Sequence, residues 1–239
     1  MNIFNDIFTR KGNKLALLID PDKTSRSALQ NVCSMAEQIN IDIILVGGSI
    51  LWHSTEQTVA EIKKACSIPV VLFPGNSFQV CGNADGILFM SLISGRNADF
   101  LIGQQVLSAP VVKQTSLEVI STGYMLFDTG KQTSVEYMSN TKPLPSNKPD
   151  IAVATALAGE MLGMKMLYLE GGSGADSCLC SNTIQAIRQN VTLPLMVGGG
   201  IRTIEHMQKA FAAGADIVVL GTIIEEQPEM IKQFGEFKI

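Results

Sequence analysis

Short apolar runs alternate with amphipathic stretches along almost the whole chain. Most of the runs are nearly continuous in Ile, Val, Leu and Met, the pattern of parallel strands that are covered on both faces. Eight such runs predict eight strands: Leu15–Asp20, Ile41–Gly48, Pro69–Gly75, Ala84–Ser91, Leu117–Phe127, Met164–Gly172, Leu193–Gly200 and Ala215–Thr222.

The stretches between most of these runs have the length and spacing of helices. Ser25–Ile39 carries apolar residues at helical intervals, Thr203–Ala213 begins with Thr203 as a candidate N-cap, and a helix over Glu225–Phe234 closes the chain. Strands and helices that alternate from end to end predict a parallel sheet. Eight strands in one domain favour closure, so residues 1–239 are predicted to form a single (β/α)₈ TIM barrel.

Two segments interrupt the alternation. Pro74–Gly82 is too short for a full third helix. Asp128–Asp150, after the fifth strand, is polar and contains three prolines, and it precedes a predicted helix over Ile151–Gly163. A long insertion at the C-terminal end of a barrel strand lies where such barrels keep their chemistry.

Composition and charge narrow the setting. The net charge is −4 without a basic block, which argues against a nucleic-acid partner. No run of about 18 apolar residues indicates an integral membrane segment, and Met1–Lys14 lacks the apolar stretch of a signal peptide. The five cysteines have no CxxC spacing and are interpreted as reduced thiols of a cytoplasmic protein.

Glycine marks the ends of the last three predicted strands. The sixth ends in Tyr168, Leu169, Glu170, Gly171, Gly172, Ser173 and Gly174, the seventh in Gly198, Gly199 and Gly200, and the eighth in Gly221 and Thr222. Glycine lets main-chain N–H groups approach a ligand, and the N-termini of the following helices would add partial positive charge. Tight turns also prefer glycine for purely structural reasons, but three consecutive loops together favour a phosphate site.

Carboxylates at two strand ends are the candidates for chemistry. Period-2 alternation places Glu170 on the face of Met166 and Tyr168, and a carboxylate there is costly unless it is paired or meets a ligand. It is predicted to hold a substrate hydroxyl and take its proton, although exposure at a loop mouth would also explain it. Asp20 ends the first strand and suits Mg²⁺. Ser49 ends the second strand at the same face and adds a hydroxyl.

Six motifs occur in an order and spacing that resemble the geranylgeranylglyceryl phosphate synthase family, including the related heptaprenylglyceryl phosphate synthases. They are LLIDPDK, LVGGS, LFPG, YLEGGSGA, VGGGIRT and ADIVVLGT, and the resemblance extends over almost the whole chain. The segment GKQTSVEYMSNTKPLP resembles the larger branch of the family, which occurs in bacteria and archaea. VGGGIRT alone is common among phosphate-binding barrels, whereas the combination with DPDK, GGS and YLEGGSG is much more specific.

The resemblance implies a prenyl transfer. Enzymes of this family join the 3-hydroxyl of sn-glycerol 1-phosphate to C1 of a long prenyl diphosphate, usually geranylgeranyl diphosphate, and release pyrophosphate with Mg²⁺. It implies Asp20 and Ser49 as magnesium ligands, and Tyr168–Gly174, Gly199, Gly200, Gly221 and Thr222 as the glycerol phosphate site. It further implies that Tyr124 lies near a mobile region of the substrate mouth, and it suggests a homo-oligomer.

Two other functions remain open at this point. A phosphate-binding barrel isomerase or lyase of amino-acid biosynthesis would share the glycine loops. It should also place an acid or a lysine at the ends of strands one and five, and Asp20 could serve as the first of these. A ligand-binding barrel without catalytic activity would turn over no substrate and would tolerate Asp20→Ala and Glu170→Ala.

Overall fold

Eight parallel strands close into a barrel in chain order, and the last strand pairs with the first. The computed structural model describes residues 2–175 and 177–237. The strands are β1 (Lys14–Ile19), β2 (Ile43–Val46), β3 (Val70–Leu72), β4 (Gly86–Leu92), β5 (Glu118–Leu126), β6 (Met166–Glu170), β7 (Leu195–Gly198) and β8 (Ile217–Leu220). The predicted TIM barrel is confirmed, with each strand inside or close to its predicted run.

Nine α-helices lie among the described residues, most of them between consecutive strands. They are α1 (Arg26–Gln38), α2 (Thr55–Ala65), α3 (Gln104–Lys113), α4 (Ser134–Ser139), α5 (Pro149–Met161), α6 (Ser181–Arg188), α7 (Ile204–Ala212), α8 (Thr222–Glu226) and α9 (Met230–Glu236). Thr203 caps α7 as predicted, because its side chain accepts a hydrogen bond from the His206 N–H. Ser25 caps α1 in the same way through the Ala28 N–H.

The strands are apolar on both faces because each face is buried against a different layer. In β6, Met166 and Tyr168 belong to the cluster inside the barrel. Leu167 and Leu169 belong to the cluster between the strands and the helices. Alternate residues of a strand point to opposite faces, so Glu170 follows Met166 and Tyr168 toward the barrel interior, as predicted.

The N-terminal segment covers one end of the barrel. A short helical turn over Phe4–Phe8, which the sequence did not predict, packs Ile7 and Phe8 into the inner cluster. The Glu118 carboxylate, at the start of β5, accepts hydrogen bonds from the N–H groups of Ile3 and Phe4 at 2.5 and 2.9 Å. The end where the strands begin is therefore filled, and a cavity can open only at the end where they finish.

Three connections define the irregular parts of the barrel. After β3 there is only a single turn, Ser77–Gln79, in agreement with the missing third helix. The insertion after β5 contains the short helix α4, and α5 begins earlier than predicted because Pro149 occupies its first turn. The predicted helix over Glu225–Phe234 is wrong in one respect: α8 ends at Glu226 and α9 begins at Met230, with Pro228 between them.

Candidate active site

A cavity of about 620 Å³ opens at the C-terminal ends of the strands. It brings together predicted site residues from both halves of the chain, which line it in common: Asp20, Ser49, Tyr124, Tyr168, Glu170, Ser173, Gly174, Gly199, Gly200, Gly221 and Thr222. Asp20 and the glycine turns of the last three strands therefore share one cavity.

Glu170 is the buried carboxylate of this cavity, with only 6% of its surface exposed. Its Oε1 accepts a hydrogen bond from the Gly172 N–H at 2.6 Å, and its carboxylate is also hydrogen-bonded to the Tyr168 hydroxyl. Burial raises the pKa of Glu170 to about 6, although these two hydrogen bonds act in the opposite direction. The group is therefore largely ionised at neutral pH and can accept a proton near neutrality.

Gly199 allows the main chain of the β7 turn to approach this carboxylate closely, and Gly200 allows it to approach the main chain of Ser177. Both have positive φ values, +81° and +69°. A methyl group at Gly199 would lie 2.5 Å from Glu170 Oε1 and 2.6 Å from the Gly172 nitrogen. At Gly200 it would collide with the main chain of Ser177. Larger residues are excluded at both positions by conformation and by contact.

Main-chain donors are available at two of the three glycine turns. Within residues 2–175 and 177–237, the N–H groups of Gly199, Gly200 and Gly221 donate to no protein acceptor. All three residues line the cavity. Unpaired N–H groups that face a cavity are the donors that an anion such as a phosphate group requires.

Three residues of the predicted phosphate site have other roles. The Gly171 N–H donates to the Gly198 carbonyl at 2.9 Å, and the Gly172 N–H is held by Glu170. Neither residue is among those that line the cavity. Leu169 is fully buried in the outer cluster, because an odd step along the strand turns it toward the helices. Gly172 thus positions the Glu170 side chain, Gly171 joins the main chain of β6 to β7, and Leu169 packs against the helices.

The expected contribution of helix N-termini is confined to the last strand. Gly221 is the N-cap of α8, and Thr222 is its first residue. After β7, α7 begins only at Ile204, and after β6, α6 begins only at Ser181. Irregular chain therefore separates the glycines of those two strands from the helix starts, and the prediction that all three helices add positive charge at the site was wrong.

Tyr124 stacks against Tyr168 inside the barrel. Their ring centroids are 5.4 Å apart and the rings are inclined by 3°, with Phe73 tilted against both. Burial, followed by the charge of Glu170, raises the pKa of both tyrosines well above the ordinary value. Tyr124 is only 6% exposed, lies on β5 and lines the cavity, and its expected place near a mobile region of the substrate mouth stays a prediction. It forms part of the cavity wall next to Glu170.

Asp20 lies at the cavity mouth beside the β2 turn, at the end of the strand that pairs with β8. Its Oδ1 accepts a hydrogen bond from the Asp22 N–H at 3.0 Å, and a methyl group on Gly48 would be 3.1 Å from its Oδ2. Ser49 directly follows Gly48 and lines the same cavity. The carboxylate and the hydroxyl are hard oxygen donors, and both face the same space.

Charged residues that the sequence interpretation left without a role also line the cavity. Lys23 lies between two carboxylates, with its Nζ 3.5 Å from Asp20 Oδ2 and 3.3 Å from Glu225 Oε2. Burial raises the pKa of Glu225, partly offset by Lys23. Arg202 lines the cavity near the β7 glycines and pairs with Glu226. The DPDK and GGGIRT motifs contained Lys23 and Arg202 and could have indicated them, whereas no motif indicated Glu225.

Apolar side chains line the cavity on the side of β4 and α3. Phe89, Met90 and Phe100 all line it there. Two polar residues of α3, Gln104 and Ser108, also line the cavity. The cavity thus joins a charged end, around Glu170 and Asp20, to an apolar end.

Comparisons with known proteins agree with this geometry. The model of the PcrB family matches residues 6–238. A Spirosoma linguale protein named geranylgeranylglyceryl phosphate synthase is 45% identical over 236 residues, which span 98% of this chain and 95% of that protein. A Flavobacterium johnsoniae protein of the same name is 48% identical over 218 residues, or 90% of each chain.

A solved structure matches nearly the whole barrel. It is the crystal structure of (S)-3-O-geranylgeranylglyceryl phosphate synthase from Thermoplasma acidophilum in complex with the substrate sn-glycerol-1-phosphate. The two share 31% sequence identity, with a TM-score of 0.92 over 99% of this chain and 96% of the other. The likeness therefore extends to sequence and fold together.

Proposed function

The chain belongs to the PcrB family, and on that premise we propose that it is a prenyltransferase of ether-lipid synthesis. It joins the 3-hydroxyl of sn-glycerol 1-phosphate to C1 of a long prenyl diphosphate, geranylgeranyl diphosphate foremost, and releases pyrophosphate. The observation that carries this proposal is a single cavity with N–H donors and a buried carboxylate at one end and an apolar wall at the other. One substrate is a small anion, which needs the end with the N–H donors, and the other carries a long apolar chain, which needs the apolar wall.

The phosphate of sn-glycerol 1-phosphate binds at the β7 and β8 turns. Gly199, Gly200 and Gly221 line this space, and their N–H groups have no protein acceptor among the described residues. Ser173 and Thr222 add hydroxyl groups, and Gly174 leaves room for the ligand. A phosphate held by fixed main-chain donors orients the rest of the glycerol without a reorganisation of side chains.

Glu170 orients the 3-hydroxyl of the glycerol and takes its proton. In the reaction, the hydroxyl oxygen forms a bond to C1 of the prenyl group while the bond from C1 to the diphosphate oxygen breaks. The proton moves to the Glu170 carboxylate, whose pKa of about 6 leaves it ionised before the reaction. Tyr168 and the Gly172 N–H keep this carboxylate in one orientation.

Asp20 and Ser49 are proposed to hold a magnesium ion. Among the described residues there is no group of three or more His, Cys, Asp or Glu side chains that could hold a metal. A site with one carboxylate and one hydroxyl fits Mg²⁺, which usually keeps several waters and takes further ligands from substrate phosphates. When bound, the ion would neutralise charge that develops on the leaving diphosphate. Lys23, next to Asp20, adds a positive charge to the same region.

The rival interpretation as an isomerase or lyase finds no support at β5. That function should place an acid or a lysine at the end of this strand. The first such residue, Asp128, is exposed, accepts a hydrogen bond from the Gly130 N–H at 2.8 Å and is not among the cavity-lining residues. The end of β5 instead contributes apolar Leu126 and Phe127 to the packed interior.

The decisive experiment offers the purified protein several donors and both acceptors. Prenyl diphosphates of ten, fifteen, twenty and thirty-five carbons are incubated with Mg²⁺ and either sn-glycerol 1-phosphate or sn-glycerol 3-phosphate. We expect an ether product with the 1-phosphate and the twenty-carbon donor above all. The absence of a product with every combination would disprove the prenyl transfer.

Two properties of the setting are part of the proposal. The described helices include none that is long and apolar enough to cross a membrane. The described cysteines form no disulfide, so we place the reaction in the cytoplasm. A homo-oligomer is proposed from the family resemblance alone, and analytical ultracentrifugation tests it.

A further inference from the structure

Three large apolar side chains at the cavity mouth are directed into solvent. Trp52 is 90% exposed, Phe78 is 95% exposed and Ile50 is 56% exposed. Ile50 and Trp52 lie in the loop after β2, and Phe78 lies in the turn after β3, so all three are at the C-terminal end of the barrel. Ile50 and Ser77, next to Phe78, line the cavity itself. These three side chains, Ile50, Trp52 and Phe78, are called the apolar rim.

The two loops of the apolar rim are held in place by buried or half-buried polar groups. The Asp22 carboxylate accepts hydrogen bonds from the N–H groups of Trp52 and His53, each at 2.8 Å. The buried Gln79 side chain donates to the Gly48 carbonyl at 2.7 Å and accepts from the Gly75 N–H at 3.0 Å. The exposed rings are thus presented by a fixed framework that ties both loops together.

The segments around the rim contain no charged side chain of Asp, Glu, Lys or Arg. This holds for Gly47–Thr55 and for Phe73–Ala84, although such residues make up 17% of the whole chain. It also holds for Phe100–Val112, and the Ser77 N–H in the turn of Phe78 donates to Gln104 of this segment at 3.3 Å. Beyond the Asp22–His53 pair that anchors the loop, segments with an exposed tryptophan and no Asp, Glu, Lys or Arg have the composition of protein surfaces that enter the boundary between lipid headgroups and acyl chains.

The proposed substrates identify the occupant of this surface. A long prenyl diphosphate and the ether lipid made from it are amphiphiles, and both partition into bilayers. We propose that the apolar rim docks on a lipid bilayer and lets the prenyl chain pass between the membrane and the cavity without crossing water. This inference rests on the proposed function for the identity of the amphiphile, but its test measures membrane binding alone.

The experiment uses the single tryptophan of the chain as its reporter. Because Trp52 is on the rim, its fluorescence emission should shift to the blue when vesicles of phosphatidylcholine are added to the wild-type protein. Vesicles with one fifth phosphatidylglycerol should give a similar shift, since the rim carries no basic side chain. No shift with either vesicle would overturn the proposal.

Paired variants separate the rim from apolar exposure in general. Trp52→Ser with Phe78→Ser should lower the vesicle partition coefficient in co-sedimentation by more than about tenfold, as expected for two buried aromatic rings. Met161→Ser with Leu162→Ser is the matched control, because these residues are 82% and 75% exposed at the opposite end of the barrel. The control should bind vesicles as the wild type does. Equal losses of vesicle binding in the two double variants would contradict the assignment of the apolar rim as the docking surface.

Two further measurements separate this inference from its alternatives. With a ten-carbon prenyl diphosphate in solution, the variant with Trp52→Ser and Phe78→Ser should form product at the wild-type rate. Product without vesicle binding would overturn the docking and leave the proposed function intact. Vesicle binding without product from any donor would overturn the proposed function and leave the docking intact. If the Trp52 emission changes with protein concentration and not with vesicles, the rim is a contact between copies of the chain and the proposal is wrong.

Discussion

Where β6, β7 and β8 end, the cavity is lined largely by main chain, whereas beside β4 and α3 it is lined by side chains. On the first side, a methyl group on Gly199 would collide with Glu170 and one on Gly200 would collide with Ser177, so neither position has space for it. On the second side, Phe89, Met90 and Phe100 form an apolar wall next to the missing third helix. The same strand–helix unit thus builds two kinds of surface within one barrel.

The difference has a consequence for how each side responds to change. A wall of main chain is fixed by the hydrogen bonds and dihedral angles of the fold, so a single added atom displaces other parts of the backbone. A wall of side chains can be reshaped by a change of residue volume without a change of backbone. Recognition of the small anion should therefore be sensitive to any substitution, and recognition of the prenyl chain should be adjustable.

The largest effect is expected at Glu170. Replacement by Gln keeps the shape and the hydrogen bond from the Gly172 N–H but removes the proton acceptor. We expect kcat to fall by about 10²–10⁴-fold with little change in fold, because general base catalysis typically contributes this much. Steady-state rates and circular dichroism measure the two properties. Glu205→Gln, on the exposed face of α7, is the control, and a Glu170→Gln rate within a few-fold of wild type would remove the proposed role.

The next effect is expected at Gly199, and it tests the rigidity of the main-chain side. Gly199→Ala places a methyl group against Glu170 and Gly172 at a φ of +81°. Gly130→Ala has a similar φ of +87° with no atom within 4 Å. Both variants share the conformational cost of about 1–2 kcal/mol for alanine at a positive φ. The difference in affinity between them therefore isolates the effect of the contact at Gly199.

Isothermal titration with sn-glycerol 1-phosphate provides the measurement for this pair. Gly199→Ala should weaken the affinity by more than about tenfold, since one misplaced donor or carboxylate costs about 1–3 kcal/mol. Gly130→Ala should bind normally and lose only thermal stability. Equal affinities in the two variants would show that the β7 turn does not contact the phosphate.

A third effect, on pH dependence, follows from the burial of Glu170. Its pKa of about 6 lies above the value of 4.5 for an exposed glutamate. The ionised form accepts the proton, and the pKa of the ligand-free enzyme governs kcat/KM, so kcat/KM should fall on the acid side and be lowered about tenfold at pH 5. The sign for stability is opposite: the folded state binds this proton more tightly, so protonation adds stability as the pH falls from 6 toward 4.5. A rate that stays flat down to pH 5 would contradict the assignment.

The contrast between the two sides also explains what could be predicted from sequence. Apolar runs identified all eight strands, because burial on both faces leaves a local signal, and period-2 alternation placed Glu170 inside the barrel. The roles of Gly171 and Gly172 were missed because hydrogen bonds to β7 and to a side chain are not local. The contact of Lys23 with Glu225 joins residues near opposite ends of the chain, and no local pattern encodes it.

The smallest effect is expected on the apolar side, where Ser108 of α3 faces the cavity. Ser108→Phe would fill part of the space for the prenyl chain, and exclusion of two methylene groups at about 0.8 kcal/mol each corresponds to about tenfold. We therefore expect kcat/KM to fall about tenfold for a twenty-carbon donor and to stay within about twofold for a ten-carbon donor. Ala109→Phe, exposed on the same helix, is the control and should change neither value. If Ser108→Phe lowers kcat/KM equally for both donors, the prenyl chain does not end at the wall of α3. The side-chain half of the cavity would then be as rigid as the main-chain half.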